Sequence, residues 1–154
     1  MLFKTHLTFG ILLFLLLFAT QSKWYVFLIG TIIGTVIVDI DSKKSKTGKH
    51  IIFRPIQILT KHRGIFHTPF AAIILTLIMT TINIEFAFAF LIGYSGHLLL
   101  DSFTKQGIKL FYPLSNKRIK SKIKTNGYFE LILFSIITTT NLILIILIFY
   151  KYIF

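Results

Sequence analysis

The chain reads as an all-α, polytopic membrane helical bundle of about five transmembrane helices. It forms one integral membrane domain over residues 1–154, with its N-terminus in the cytoplasm. Three observations lead there. Hydrophobic residues make up 55% of the chain and mean hydropathy is +0.79, while Asp and Glu together number five, too few to dress a soluble globule. Apolar residues gather into five runs, roughly 7–20, 24–38, 65–82, 86–100 and 128–150. Lys and Arg segregate to one side of those runs, fifteen against two, and the rich side is the cytoplasmic one.

Each run is measured against the roughly 20 residues needed to cross a core of about 30 Å. The third and fifth meet that length. The first, second and fourth reach it only if their polar ends are included, back to Leu2 for the first and forward to Thr104 for the fourth. Gln21-Ser22-Lys23 and Asn83-Ile84-Glu85 are short links, so runs one and two, and three and four, form antiparallel hairpins. The long links, about 39–61 and 101–127, are basic cytoplasmic loops, and only Lys23 and Lys151 lie on the far side. Trp24, Tyr128, Tyr150 and Tyr152 fall at run ends as interfacial anchors. Gly30 and Gly34 form a small-xxx-small pair that permits close helix approach. Lys4, the run 11–18 and Ala19 resemble a signal peptide without an A-x-A site, so the first run is expected to stay in the protein.

Absence of cysteine removes disulfides and thiolate metal sites. The net charge of +12 is better explained by topology and contact with anionic lipid than by nucleic acid. The stretch from Lys117 to Lys124 reads as a solvated loop.

Seven of the ten acidic and histidine residues fall on the cytoplasmic side: His6, Asp39, Asp41, His62, His67, His97 and Asp101. Each carboxylate costs about 2.5–3.5 kcal/mol to lower into a bilayer, so their convergence calls for a shared purpose. His97 and Asp101 are i,i+4 on one helix face. Asp39 and Asp41 are i,i+2, on a locally extended exit from the second run. His62 and His67 are i,i+5, a poor fit to one face; Gly64 is expected to start the third helix, with His62 in the loop before it. Imidazoles with carboxylates suit Zn²⁺, Mn²⁺ or Fe²⁺. Such an ion lowers the pKa of a bound water. The expected ligands are His6, Asp39, His67, His97 and Asp101. Asp41 or His62 is expected to handle protons, and Arg63 to hold a phosphate oxygen. Read singly, each has a plainer use: Asp41 and Asp101 as caps, Arg63 as a topological charge, each histidine as an interfacial residue. His50 reads as solvated and Glu85 as a turn residue. Glu130 reads as structural at a helix start, and Asn141 with Thr138–Thr140 as interhelical hydrogen-bonding groups.

Four segments carry a resemblance: Thr5-His6, Asp39-Ile40-Asp41, the run H-R-G-I-F-H-T from His62 to Thr68, and G-H-L-L-L-D-S-F-T-K-Q-G-I-K-L-F-Y-P from Gly96 to Pro113. In this order they resemble the YdjM family of inner-membrane proteins of bacteria and archaea. The resemblance implies a metal-dependent hydrolase of the cell inner membrane whose metal site uses these His and Asp residues. The family is distantly similar to zinc-dependent phospholipase C and P1-type nucleases, whose H-x-x-x-D pair is matched by His97 and Asp101. Their further His-rich segment has no counterpart after Asp101, which implies one or two ions rather than three. The function expected is hydrolysis of a phosphoester or phosphodiester in a lipid-linked substrate. Two alternatives stand beside it. One is a regulatory membrane protein with a structural metal, which recruits a cytosolic partner or nucleic acid through residues 43–54 and 117–124. The other, ranked last, is a cation transporter, because the outer halves of runs one to four are nearly all apolar.

Overall fold

The computed structural model describes residues 1–43, 45–59 and 63–153. Six helices follow in order: α1 (Phe3–Leu17), α2 (Trp24–Ile37), α3 (Arg54–Leu59), α4 (Pro69–Thr80), α5 (Ile84–Ser102) and α6 (Tyr128–Ile153). Short 3₁₀ turns cover Val38–Asp41, Ile51–Phe53 and Ile65–His67. The five longer helices coincide with the five apolar runs, and α3 is an added turn in the first basic loop.

Three segments are long and apolar enough to cross a membrane: Trp24–Asp41, Ile84–Ser102 and Tyr128–Lys151. The third run does not yield the full span expected of it. Pro69 opens α4, with Thr68 as N-cap accepting a hydrogen bond from the Ala71 amide, so the helix has 12 residues. At 1.5 Å per residue that is about 18 Å. The preceding Ile65–His67 is a 3₁₀ turn, so Gly64 does not start the helix. α1, with 15 residues, reaches about 22 Å.

α2 and α5 form the most extensive helix pair. Glycines make their close approach possible. A Cβ built on Gly34 would lie 2.1 Å from the Phe90 carbonyl oxygen, and one on Gly93 2.1 Å from that of Thr31. α1 lies against both, with Gly10 packed onto the Thr35 side chain. α4 packs on α5, burying Ala71, Ala72, Phe90, Tyr94 and Leu98 with Val38 and Ile108. α6 is peripheral and packs mainly on α1. Two polar side chains of α6 hold it there. Buried Glu130 accepts from the Leu2 amide (2.6 Å) and the Thr5 hydroxyl (3.0 Å), and Asn141 donates to the Thr8 carbonyl (2.9 Å). Asn141 therefore makes the interhelical bond the sequence called for, whereas Thr138 and Thr140, expected to do the same, bond back to the Phe134 and Ile136 carbonyls of their own helix. At the end of the bundle away from these loops, Lys23 and Glu85 pair at 3.0 Å and join the two short turns.

In the second long loop the stretch from Lys117 to Lys124 is largely exposed, as a solvated charge run should be, but its backbone is ordered. Ile108 and Ile119 exchange backbone hydrogen bonds of 3.0 and 2.9 Å, and the Lys105 amide donates to the Ile123 carbonyl (2.8 Å). This folds residues 104–123 back on themselves at the end of α5.

Gly34→Ala should destabilise the bundle by about 1–3 kcal/mol, because the new methyl meets backbone and not a mobile side chain. Thermal unfolding followed by Trp24 fluorescence checks this against Leu142→Ala on the exposed face of α6, which should leave the midpoint unmoved.

A buried histidine–aspartate cluster as candidate metal centre

Asp101 is the meeting point. Its side chain is 2% exposed and its oxygens face opposite ways. Oδ1 lies 3.3 Å from His6 Nε2 and takes a hydrogen bond from the Met1 amino group. Oδ2 lies 3.0 Å from Arg63 Nη2, 3.7 Å from His67 Nε2 and 4.0 Å from His97 Nε2. Asp39 Oδ1 stands 3.7 Å from His67 Nε2 and 3.8 Å from His97 Nε2. Imidazole nitrogens and carboxylate oxygens thus alternate around one small space. Bonds of about 2.0–2.2 Å place neighbouring tetrahedral donors roughly 3.3–3.6 Å apart, so the observed spacing is a slightly open version of such a site. Among the described residues, two groups of donors lie within 4.8 Å of one another: Asp39, His67 and His97, and His6, His97 and Asp101. These groups could hold a metal ion.

The backbone aims these side chains. His97 presents Nε2 because its Nδ1 lies 2.8 Å from the Thr35 carbonyl, which fixes the ring and leaves Nδ1 as the protonated nitrogen. His97 Nε2 itself is buried and has no hydrogen-bond partner among the described residues. His6 stacks on His97 with ring centroids 3.8 Å apart. On the other side of His67, Asp41 Oδ2 lies 3.4 Å from Nδ1. Asp39 and Asp41 therefore clasp one imidazole from two sides. A 3₁₀ turn allows this, where the extended exit expected from the sequence would have placed both on one side. Asp39 is the accessible carboxylate, 18% exposed against 0% for Asp41.

Arg63 sits at φ 61°, a left-handed conformation that costs an ordinary residue about 1–2 kcal/mol. Its amide donates to Asp41 Oδ2 (3.1 Å), and its guanidinium bridges Asp101 to the Gly107 carbonyl (3.0 Å). One residue thus links the first loop, the end of α5 and the folded-back loop. Beside it opens a cavity of about 500 Å³ whose wall includes Asp39, Asp101, Arg63, Lys4 and Lys46. His62 lies outside the described residues. His50 is exposed, and Glu85 is engaged with Lys23.

The YdjM inner membrane protein family model matches residues 1–154. The chain belongs to the YdjM inner membrane protein family. It is a membrane protein accordingly, consistent with its three long apolar helices. It is also similar to YvsG of Bacillus subtilis (strain 168), described as uncharacterized, with 29% identity over 103 residues, 64% of either chain. The chain thus spans a little under two thirds of that relative's length. No solved structure matches it.

Four contributors escaped the sequence reading. Tyr94 donates its hydroxyl to the Phe66 carbonyl and so holds the turn that carries His67. The Thr35 carbonyl orients His97, and the Thr104 hydroxyl bonds the Asp101 carbonyl (2.7 Å). Glu130 ties down the start of α1, the helix that carries His6. Tyr94 carried a signal: with His97 and Asp101 it forms an i, i+3, i+7 polar line on an apolar helix.

His67 lies outside the three long spans. Burial pushes its imidazolium down, but hydrogen bonds to the Asp39 and Asp41 carboxylates and attraction from Asp101 outweigh that and hold it at about 9. Raised above the ordinary 6.5, it stabilises the metal-free fold fully below pH 6.5 and loses that contribution as pH rises through about 9. A metal ligand must be neutral, so an ion binding near pH 7.5 displaces this proton. Calorimetric titration with zinc in buffers of different ionisation enthalpy should show about one proton released per ion, declining above pH 9. Buffer-independent heats at pH 7.5 would contradict the assignment of His67 as a ligand.

Proposed function

We propose that this protein is a metal-dependent hydrolase of the cytoplasmic membrane face, acting on a phosphoester or phosphodiester of a lipid-linked substrate. One observation carries the reading. The two carboxylates facing the cluster, Asp39 and Asp101, share the wall of one cavity with the cationic side chains of Lys4, Lys46 and Arg63. Donors for a divalent ion and counter-charges for an anion therefore border the same space, the pairing that hydrolysis of a phosphate ester uses.

Asp39, His67, His97 and Asp101 Oδ2 would hold one ion, with Zn²⁺ favoured and Mn²⁺ or Fe²⁺ admissible for an all-N/O donor set. His97 offers only Nε2, since Nδ1 is engaged by Thr35, so the two donor groups compete for it. A second ion would fall to His6 and Asp101 Oδ1. When bound, such an ion acts as a Lewis acid on a phosphoryl oxygen and acidifies a water. The remaining roles belong to the chain. Asp41, behind His67 and away from the cavity wall, positions that imidazole; this replaces the proton-handling role expected of it. Arg63 fixes Asp101 and adds positive charge beside the phosphate position. His6, paired with Asp101, is placed to exchange a proton when it carries no ion. The cytoplasmic placement rests on the fifteen-to-two division of basic residues.

A second reading, a regulatory protein with a structural ion, draws on the folded-back loop. It carries Lys105, Lys109, Lys117, Arg118, Lys120, Lys122 and Lys124 with no acidic residue from 102 to 129.

Purified protein should contain one or two zinc, manganese or iron ions by elemental mass spectrometry and hydrolyse phosphate esters. His97→Ala and Asp101→Ala should lose the metal. Asp41→Asn should keep the fold and lose about 10–100-fold in affinity or turnover. Full metal occupancy with no turnover across lipid phosphates, together with loss of function in loop Lys→Gln variants, would favour the regulatory reading.

A further inference from the structure

The cationic cavity adjoins a second opening at the edge of the bundle. A second hollow of about 330 Å³ lies between the start of α1 and the start of α6, lined by Leu2, Lys4, Gly127, Tyr128, Glu130 and Leu131. Leu2 and Lys4 line both spaces, so the hollow adjoins the cavity that holds Asp39 and Asp101. Its outer lip is apolar and exposed, with Leu131 at 53% and Tyr128 at 74%. Its one acidic wall residue, Glu130, repels little. Its oxygens already accept from the Leu2 amide, the Thr5 hydroxyl and the Asn126 amide, and the residue is 1% exposed. Lys4 lies along the same wall, its ammonium 4.7 Å from the centre of the Phe134 ring on α6.

An ammonium beside an apolar lip, next to a cationic cavity, matches a lipid whose phosphate is charged and whose tail is not. α6 is suited to form one side of such a passage. It lies at the edge of the bundle, packed mainly on α1, so the seam between its start and that of α1 opens at the exposed side of the bundle.

We infer that the hollow between the starts of α1 and α6 is a lateral portal that holds the acyl chain of a phosphate-bearing lipid while its phosphate enters the cavity walled by Lys4, Lys46 and Arg63. Leu131 and Tyr128 contact the chain, and Lys4 stands at the junction of head and tail. The inference rests on the phosphoesterase reading for its substrate class and goes beyond it in naming where the tail lies and which residues select for it.

The test uses intact protein in lipid nanodiscs with a phosphatidic acid carrying a diazirine near the head end of one acyl chain. After illumination and digestion, label should concentrate on residues 2–4 and 126–131. Lys4→Gln, exposed and outside the metal cluster, should reduce that label several-fold. Leu131→Trp, which fills the lip, should do the same and raise KM for the lipid without changing turnover of p-nitrophenyl phosphate. Even labelling along the exposed face of α6, through Leu142 and Ile146, would mean ordinary surrounding lipid and would overturn the portal. So would label confined to the apolar cleft at the other end of α1, lined by Phe14, Leu15 and Ile145. If neither phosphate ester is turned over but the portal peptides are labelled and respond to both variants, the hydrolase reading fails while the lipid site stands.

Discussion

A carboxylate held at the end of an apolar helix must find compensation inside the protein, and Asp101 sets the terms for everything around it. It is buried, it belongs to one of the spans, and it has two oxygens to satisfy. Arg63 and the Met1 amine supply charge, His6 and His67 supply ring nitrogens, and Thr104 anchors its backbone. Those partners come from the start of α1, both long loops and α5 itself. The loops are ordered because Asp101 gives their polar groups a place to go, and the left-handed strain at Arg63 is tolerated because its amide is bonded to Asp41 and its guanidinium to Asp101 and the Gly107 carbonyl.

The rest of the bundle brings these pieces within reach. His97 can use the Thr35 carbonyl only if α2 and α5 nearly touch, and Gly30, Gly34 and Gly93 remove the side chains that would separate them. The Thr35 hydroxyl donates to the Thr31 carbonyl (2.8 Å) and lies 3.3 Å from the Gly93 carbonyl, and Gly10 lets α1 close over it. A glycine contact in the apolar layer thereby sets the tautomer of an imidazole in the cluster above. On the other flank, Tyr94 carries the same logic from α5 to the turn that bears His67.

Much of this was legible in the sequence. Hydrophobic runs revealed all five long helices, because an apolar segment in a membrane protein declares itself by composition alone. The convergence of His6, Asp39, His67, His97 and Asp101 followed from topology, since placing helix ends on one side collects what they carry. What stayed hidden depends on local backbone geometry. Thr68-Pro69 is a capped helix start, yet it sits inside a continuous apolar run, so hydropathy extended α4 too far toward its N-terminus. Asp39 and Asp41 share a side on an extended strand but not in a 3₁₀ turn, and no periodicity in four residues separates the two. Glu130 looked like a helix-start acid. That it caps the start of α1 as well is a contact across 128 positions that spacing does not encode.

Stability alone does not account for this cluster. Replacing a buried ionic network by apolar side chains of similar volume is often neutral or stabilising. A bundle of this composition has apolar residues in abundance. If the cluster served only to hold α1, α2, α4 and α5 together, leucines would serve as well. Instead three carboxylates and three imidazoles are kept in contact with one another at the edge of a cationic cavity, with rings turned by a backbone carbonyl and a second carboxylate. Orientation of that kind matters little to packing and greatly to binding an ion. It also accounts for the balance of charge. Arg63, the Met1 amine and a protonated His67 compensate the carboxylates, and the His67 proton is of the kind that a bound ion would displace. The cluster thus has the donor set, the ring orientation and the compensating charge that a site able to hold a divalent ion needs.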